Sequence, residues 1–246
     1  MFDVIVLGAT FAAAGIAGGL KERCLILERG TTAGNEFFEA LHFGKDYEIP
    51  AETARGQQFR QAFLERGVFS QDRTCVYECR RILYQLLKET NIRFSAEVID
   101  IQKVEDYFVC KTYEVDGYHT YTAKNVVDTR SKSEISTSKT YNFLIESVDA
   151  PVFSGMCAEK WGYENQYVLK CPVPLSCGYE KARELVRDVI GQFDETQKLV
   201  LLANGFDYQI RPDLPEQEAG VFLLPSKQYR NPVLAYDAGV CFGEGM

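Results

Sequence analysis

The first 30 residues place the strongest limit on the fold of this chain. Residues 3–8, DVIVLG, form a continuous apolar run that ends in glycine, and residues 11–22 are rich in alanine. A second apolar run, RCLILERG, occupies residues 23–30. Short apolar runs without alternation are typical of strands that are buried on both faces of a parallel sheet. The pattern therefore predicts a compact βαβ unit and an α/β domain.

The turn between the first strand and the helix resembles a dinucleotide-binding turn. In the G-x-G-x-x-G pattern the first glycine makes the tight turn, the second lets the backbone approach the pyrophosphate, and the third lets helix and strand pack closely. Here these positions hold Gly8, Thr10 and Ala13. Alanine is an accepted variant, whereas the Cβ of Thr10 crowds the phosphate and its hydroxyl offers a hydrogen bond. The predicted pyrophosphate site, at the positive end of the helix, comprises Gly8, Ala9, Thr10, Phe11, Ala12 and Ala13.

An acidic residue follows at the expected distance. Glu28 ends the second strand 20 residues after Gly8, where a carboxylate accepts hydrogen bonds from the adenosine ribose. Glu28 and the adjacent Arg29 therefore join the candidate site. The alternative is that the βαβ unit persists only as architecture and that Glu28 is a solvated strand end.

The rest of the chain predicts further helices, a meander of strands and a second domain. Asp116-Gly117 is a strong hairpin signal between two segments of period two, and the polar, Ser/Thr-rich residues 130–140 mark a domain crossing. We predict a nucleotide-binding domain from residues 1–130 and 230–246, and a smaller α+β domain from residues 131–229. The predicted helices cover residues 51–65, 71–90 and 178–193, and the predicted strands after residue 92 cover residues 93–106, 107–115, 119–129, 141–149, 167–175, 198–204, 220–225 and 232–240.

The stretch DVIVLGATFAAAGIAGGL…CLILERG resembles the N-terminus of the FAD-dependent oxidoreductases of the glutathione-reductase-like superfamily. In one branch of that superfamily the turn reads G-G-T-P-A-G, with threonine at the position of Thr10. AKNVVDTRSKS, residues 123–133, is similar to the family's A-K-x-V-I-D-A-T-G, which implies that Asp128 and Thr129 return to the cofactor. A weaker match, VLAYDAG, implies that a last strand brings Asp237 to the ribityl chain or the pyrophosphate.

This resemblance implies a Rossmann-like, three-layer FAD/NAD(P)-binding domain with an inserted β-meander and a smaller substrate or cap domain. It implies FAD as the cofactor and flavin-mediated hydride transfer with an unidentified small molecule, and it identifies no catalytic base. In the family a helix follows the last strand, and residues 231–246 leave little sequence for one. A non-catalytic relative that serves as a scaffold or partner-binding module is the alternative. A simple NAD(P)-dependent dehydrogenase is disfavoured by the strands after residue 92.

The charge balance and the N-terminus exclude several classes of partner. The chain has 27 Lys and Arg against 35 Asp and Glu, with a net charge of −8. Without a basic run it does not have the pattern of a nucleic-acid-binding protein. No signal peptide or membrane-spanning segment is evident, so we expect a cytoplasmic protein without membrane contact. In that compartment the eight cysteines are expected to be reduced and buried.

Other candidate residues have weaker support. Cys75 and Cys79 share a helix face, but no further Cys/His pair completes a metal site, so core packing is favoured and no metal is predicted. His42, in the loop after the second strand, is either a hydrogen-bonding partner of the ligand or a solvated side chain, and His119 is expected at the surface. Cys171 and Cys177 form either a thiol pair or two separate buried thiols, and the second interpretation is favoured. Trp161, Tyr163, Tyr167 and Arg211 are candidates for a substrate pocket in which the arginine binds a carboxylate.

Overall fold

The computed structural model describes residues 1–42, 44–70, 73–74, 76–161 and 165–246. Its α-helices, in chain order, are α1 Phe11–Leu20, α2 Asn35–Phe38, α3 Ala54–Glu65, α4 Val76–Leu87, α5 Tyr179–Ile190 and α6 Pro232–Glu244. Its strands are β1 Phe2–Leu7, β2 Cys24–Leu27, β3 Phe69–Ser70, β4 Arg73–Thr74, β5 Asn91–Arg93, β6 Glu97–Val104, β7 Tyr107–Glu114, β8 Gly117–Asp128, β9 Ser136–Ser147, β10 Cys157–Lys160, β11 Gln166–Val173, β12 Gln197–Ile210, β13 Gln217–Glu218 and β14 Val221–Leu223.

The first sheet has the predicted Rossmann-like arrangement. Its strand order is β13-β14-β8-β1-β2-β5, and β1 pairs in parallel with both β2 and β8. Val4 and Val6 pack in the core that includes α1, whereas Ile5 and Leu7 pack with meander residues such as Phe108. Because both faces of β1 are buried, the helices, the sheet and the meander form three layers. The predicted fold class is therefore confirmed.

The second sheet is antiparallel and carries α5. Its strand order is β10-β11-β9-β12, with β9 in the centre. Tyr141 and Phe143 on β9 are fully buried, and they share the core with Ala182 and Val186 on α5. This sheet supplies one wall of the cavity described below.

The predicted strand at residues 232–240 is wrong, because these residues lie in α6. Asn231 caps the helix by accepting a hydrogen bond from the N–H of Leu234 at 2.9 Å, and Pro232 lies in the first turn. This pairing of a capping side chain with proline is a helix-start signal that the apolar run obscured.

Close packing explains why α6 lacks the alternation of an amphipathic helix. A Cβ on Gly239 would lie 2.0 Å from the carbonyl oxygen of Ala12, and a Cβ on Gly15 would lie 2.1 Å from that of Tyr236. The backbones of α1 and α6 therefore approach so closely that only glycine fits at these two positions. A helix buried on most sides has the continuous apolar sequence that is also typical of a buried strand.

The strand predicted at residues 220–225 joins the first sheet. In β14, Phe222 pairs in parallel with Val127 of β8. In addition, β9 begins at Ser136, inside the polar segment that predicted a domain crossing, and β12 extends to Ile210 instead of ending at residue 204. The domain division at residues 131 and 229 stays a prediction. The hairpin at Asp116-Gly117 joins β7 to β8 as predicted.

The structure describes the side chains of six cysteines, all of them free thiols. Cys171 and Cys177 are buried, which confirms the interpretation of two buried thiols, but Cys157 and Cys241 are exposed, contrary to the expectation of burial. Cys75 and the side chain of Cys79 lie outside the described residues, so their pairing stays untested. In the described part of the chain, no helix is long and apolar enough to span a membrane.

Candidate functional site at the N-terminus of the first helix

Gly8 makes the tight turn that the sequence predicted. Its φ of +92° lies in the region that favours glycine, and a Cβ there would lie 2.6 Å from Cγ of Arg130. The N–H of Gly8 donates to the carbonyl of Leu27, which ties the turn to β2. The turn therefore has the backbone shape of a dinucleotide-binding turn.

Thr10 is the N-cap of α1. Its Oγ1 accepts a hydrogen bond from the N–H of Ala13 at 3.1 Å and donates to Oγ1 of Thr129 at 2.8 Å. Thr129 donates in turn to the carbonyl of Leu7 at 2.9 Å. The structure thus brings together the turn and the end of β8, as predicted, but the hydroxyl hydrogen of Thr10 is engaged within the protein.

Glu28 binds the backbone of the same turn. Its Oε2 accepts from the N–H of Ala9 at 2.7 Å, and its Oε1 accepts from the N–H of Gly30 at 2.6 Å. Arg29 points away, because its side chain is 81% exposed and pairs with Glu97 at 2.7 Å. Of these two predicted residues, only Glu28 contacts the turn.

Glu36, which the sequence analysis did not identify, occupies the first free amide of α1. Its Oε1 accepts from the N–H of Phe11 at 2.9 Å and from Oγ of Ser226 at 2.7 Å. Its Oε2 is buried without a hydrogen-bond partner. Burial raises the pKa of this carboxyl group to about 7. An acidic residue in a segment without periodicity gave no signal for this role.

Aromatic rings close the space around the turn. Phe11 is fully buried, and its ring makes edge contacts with Phe37 at 5.6 Å and Phe38 at 5.7 Å between centroids. Ala9, Ala12 and the rest of the turn are also buried. The segment around α2 therefore covers the N-terminus of α1.

Asp128 and Asp237 are both engaged with protein groups. Burial raises the pKa of Asp128, but the hydrogen bonds and charges of Arg130 and Lys132 outweigh burial and hold this pKa below its usual value. Asp237, on α6, accepts from the N–H of Glu52 at 2.6 Å and from the N–H of Thr53 at 3.0 Å. Its carboxylate thus holds the start of α3 instead of ending a strand at the turn.

A separate cavity of about 1050 Å³ lies between the second sheet and two chain segments outside the sheets. His42 is among its lining residues, whereas Trp161, Tyr167 and Arg211 are not, and Tyr163 lies outside the described residues. His42, residues 44–48 and residues 227–230 form one side, and parts of β9, β10, β11 and β12 form the other.

A buried ionic cluster forms one wall of this cavity. Asp207 lies 2.6 Å from Nζ of Lys227, 3.0 Å from Nδ1 of His42 and 3.9 Å from Nζ of Lys170. Burial raises the pKa of Asp207, but the charges of these neighbours outweigh burial and hold it well below its usual value. Burial lowers the pKa of His42. The cluster therefore holds an ionised Asp207. The sequence analysis missed it because β12 was predicted to end before residue 207.

The comparisons with known proteins concern the whole fold. No protein-family model and no curated protein sequence matches the chain. Among solved structures, p-nitrophenol 4-monooxygenase PnpA from Pseudomonas putida DLL-E4 is 13% identical with a TM-score of 0.60, and the match covers 99% of this chain and 77% of that one. BexE, studied for oxidation during BE-7585A biosynthesis, is 14% identical with a TM-score of 0.59, and the match covers 98% and 60%.

Aklavinone-11 hydroxylase, solved in a ternary complex with FAD and aklavinone, is 13% identical with a TM-score of 0.55, and the match covers 99% of this chain. The chain spans 61% of that protein and 60% of BexE. At these identities the likeness establishes the fold: this chain has the fold of monooxygenases and hydroxylases, one of which is solved with FAD. The resemblance to the glutathione-reductase-like branch stays a prediction.

Proposed function

We propose that the chain binds FAD at the N-terminus of α1 and is a flavin-dependent oxidoreductase acting on a small molecule. One observation carries the proposal: the N–H groups of Ala9 and Phe11 already hold carboxylate oxygens, from Glu28 and Glu36. The N-terminus of a helix attracts anions through its free N–H groups and its dipole. The turn is therefore an anion site at the position where this fold holds a pyrophosphate.

The residues fit a dinucleotide on two conditions, which are that Glu36 leaves the N–H of Phe11 and that Glu28 leaves the N–H of Ala9. The unpartnered Oε2 of Glu36 and its raised pKa indicate a carboxylate that the site satisfies incompletely. Glu28 would then accept from the ribose hydroxyls. Arg29, Asp128 and Asp237 do not enter this proposal, because their side chains are engaged elsewhere. The backbone and hydroxyl groups proposed to hold the cofactor belong to Gly8, Ala9, Thr10, Phe11, Ala12, Ala13 and Thr129.

When bound, FAD supplies the hydride or electron transfer, and the chain supplies binding, orientation and exclusion of water. The aromatic rings around Phe11 keep water away from the turn. The cavity beside the second sheet offers space for the small molecule, with Asp207 as a fixed negative charge in its wall. No described residue there is assigned as a catalytic base.

A second candidate function is a non-catalytic relative without stable flavin. The observation that favours it is the complete burial of Phe11 and the engagement of the turn's amides by the chain's own side chains. In that case the carboxylate of Glu36 is a permanent replacement for a phosphate group.

The two candidates differ in cofactor binding. The test measures the visible absorbance of bound flavin in the purified protein, and the thermal shift on adding FAD, NAD or NADP. We expect a shift with FAD alone, and a larger one in Glu36→Ala, which removes the competing carboxylate. Glu36→Gln is the matched control, because the amide keeps the size and an acceptor oxygen. A colourless protein without an FAD shift, in wild type and in Glu36→Ala, would refute the proposed function and leave the second candidate.

A further inference from the structure

The hairpin between β7 and β8 brings one histidine and two carboxylates together. β7 ends at Glu114, and Asp116 lies in the two-residue turn that leads into β8. Thr112 pairs with His119 across the hairpin, so His119 lies on the same face as Glu114. One carboxylate oxygen of Glu114, one of Asp116 and a ring nitrogen of His119 all lie within 4.8 Å of one another.

Glu114 is a buried carboxylate that forms no ion pair with any residue that the structure describes. It is 9% exposed, and its Oε1 accepts hydrogen bonds from the hydroxyl groups of Thr112 at 2.7 Å and Tyr121 at 2.8 Å. Its Oε2 accepts no hydrogen bond within the described part of the chain. The charge of Arg93 acts on Asp116 and Tyr121 but is not paired with Glu114. Burying an unpaired carboxylate is costly, so this position favours a bound cation.

The other two members of the group lie at the tip of the hairpin. Nε2 of His119 lies 2.8 Å from Oδ1 of Asp116, and the ring of His119 stacks on that of Tyr121 with centroids 6.2 Å apart. Tyr121 therefore orients both His119, by stacking, and Glu114, by its hydrogen bond. Neighbours that orient the ligands in this way are typical of metal sites. The side chains of Asp116 and His119 are 76% and 36% exposed, so an ion reaches them from the solvent.

This set of donor atoms suits zinc. Imidazole nitrogen and carboxylate oxygen bind Zn²⁺ at about 2.0–2.2 Å, and water completes sites that have three protein ligands. Around a tetrahedral ion such ligand atoms lie about 3.4 Å apart. Because Asp116 and His119 are exposed, small rotations of their side chains bring the group from its present spacing to this one. The two charges of the ion match the two carboxylates.

We propose that Glu114, Asp116 and His119 bind a divalent transition-metal ion such as Zn²⁺. The site lies in the meander and shares no residue with the turn or the cavity, so the proposal goes beyond the proposed function. A Cys/His pair is the sequence signal of a zinc site, and this hairpin has none, so residue spacing did not indicate it.

The experiment titrates Zn²⁺ into the FAD-free, chelator-treated chain by calorimetry and follows the imidazole resonances by NMR. The chain has two histidines, so His42 serves as an internal reference. All proteins carry Cys157→Ser and Cys241→Ser, which remove exposed thiols that also bind zinc. We expect Zn²⁺ to shift the His119 resonances and to leave those of His42 in place, and we expect Mg²⁺ to shift neither.

Substitution of each ligand tests the assignment. We expect Glu114→Gln, Asp116→Asn and His119→Gln each to weaken Zn²⁺ binding at least about tenfold, which is the lower limit for loss of a group that merely orients a ligand. Asp106→Asn, in the exposed turn between β6 and β7, is the matched control and should bind Zn²⁺ like the parent protein. Thermal unfolding of each variant verifies that it folds.

His119 resonances that stay in place at millimolar Zn²⁺ in the parent protein would overturn the proposal, whether or not the variants fold. Equally strong zinc binding by a folded His119→Gln or Glu114→Gln would also overturn it, because the ion would then lie elsewhere. An equal response to Mg²⁺ would contradict the assignment to a transition metal. Since all measurements use protein without FAD, a failure of the flavin proposal leaves these outcomes unchanged.

Discussion

The carboxyl group of Glu36 is buried, and its titration makes the stability of the fold depend on pH. Its pKa is raised from an ordinary value of 4.5 to about 7 by burial. The folded state therefore holds a proton more tightly than the unfolded state between these values. The contribution of Glu36 to stability is complete below about pH 4.5 and is lost as the pH rises through about 7.

We predict that Glu36→Gln removes this pH dependence. At pH 5 the variant and the wild type should differ little, whereas at pH 8 the variant should gain up to about 3 kcal/mol over the wild type in free energy of unfolding. Urea denaturation at both pH values measures the difference. Other groups that titrate in this range, such as His42, contribute equally to both proteins and cancel. A constant difference between the two proteins at both pH values would contradict a carboxyl pKa near 7.

At the level of elements, the capping residues mark the start of both α3, which was predicted as a helix, and α6, which was predicted as a strand. Thr53 accepts from the N–H of Gly56 at 2.9 Å at the start of α3, and this helix was predicted within a few residues. Asn231 and Pro232 mark the start of α6 in the same way, but the apolar sequence that follows was interpreted as a strand. Because α6 is buried on most sides, its sequence lacks the regular spacing of apolar residues that distinguishes a helix from a strand. The capping residues were therefore the remaining signal for a helix.

Asp237 links these two helices, and its substitution separates a structural role from a cofactor role. We predict that Asp237→Ala lowers the free energy of unfolding by about 2–3 kcal/mol, because the partly buried amides at the start of α3 lose a charged acceptor. FAD binding, measured by titration of the folded variant, should match that of the wild type. Cys241→Ala, at an exposed position of α6, is the control. Unchanged stability with loss of FAD binding would instead support the cofactor role predicted from the sequence.

At the scale of the whole molecule, the sequence predicted the first sheet better than the site. The βαβ unit, the meander and the placement of Glu28 and Thr129 beside the turn follow from local patterns of period and spacing. The ionic cluster around Asp207 has a weaker signal, because Asp207 belongs to a strand only if β12 extends beyond residue 204. The contact of Glu36 with Phe11 depends on how a segment without periodicity folds back, which no local pattern fixes.

That segment also joins the two sheets, and the connection can be tested. The side-chain amide of Asn142 on β9 donates to the carbonyl of Ala40 at 2.6 Å, and two backbone N–H groups of β12 donate to the carbonyl of Glu39. The second sheet therefore anchors the segment that holds Glu36 over α1. Weakening this anchor should loosen the cover of the turn before it affects the first sheet.

We predict that Asn142→Ala lowers the free energy of unfolding by about 1–3 kcal/mol, because the buried carbonyl of Ala40 loses its donor. Hydrogen exchange should accelerate in residues 35–42 through local opening, while the amides between β1 and β8 keep their protection relative to global unfolding. Thr137→Ala, at an exposed position of β9, is the matched control. If protection fell equally in both sheets, Asn142 would stabilise the whole fold rather than this segment. If it fell only in residues 35–42, FAD should also bind more readily to the variant, since the same segment carries Glu36.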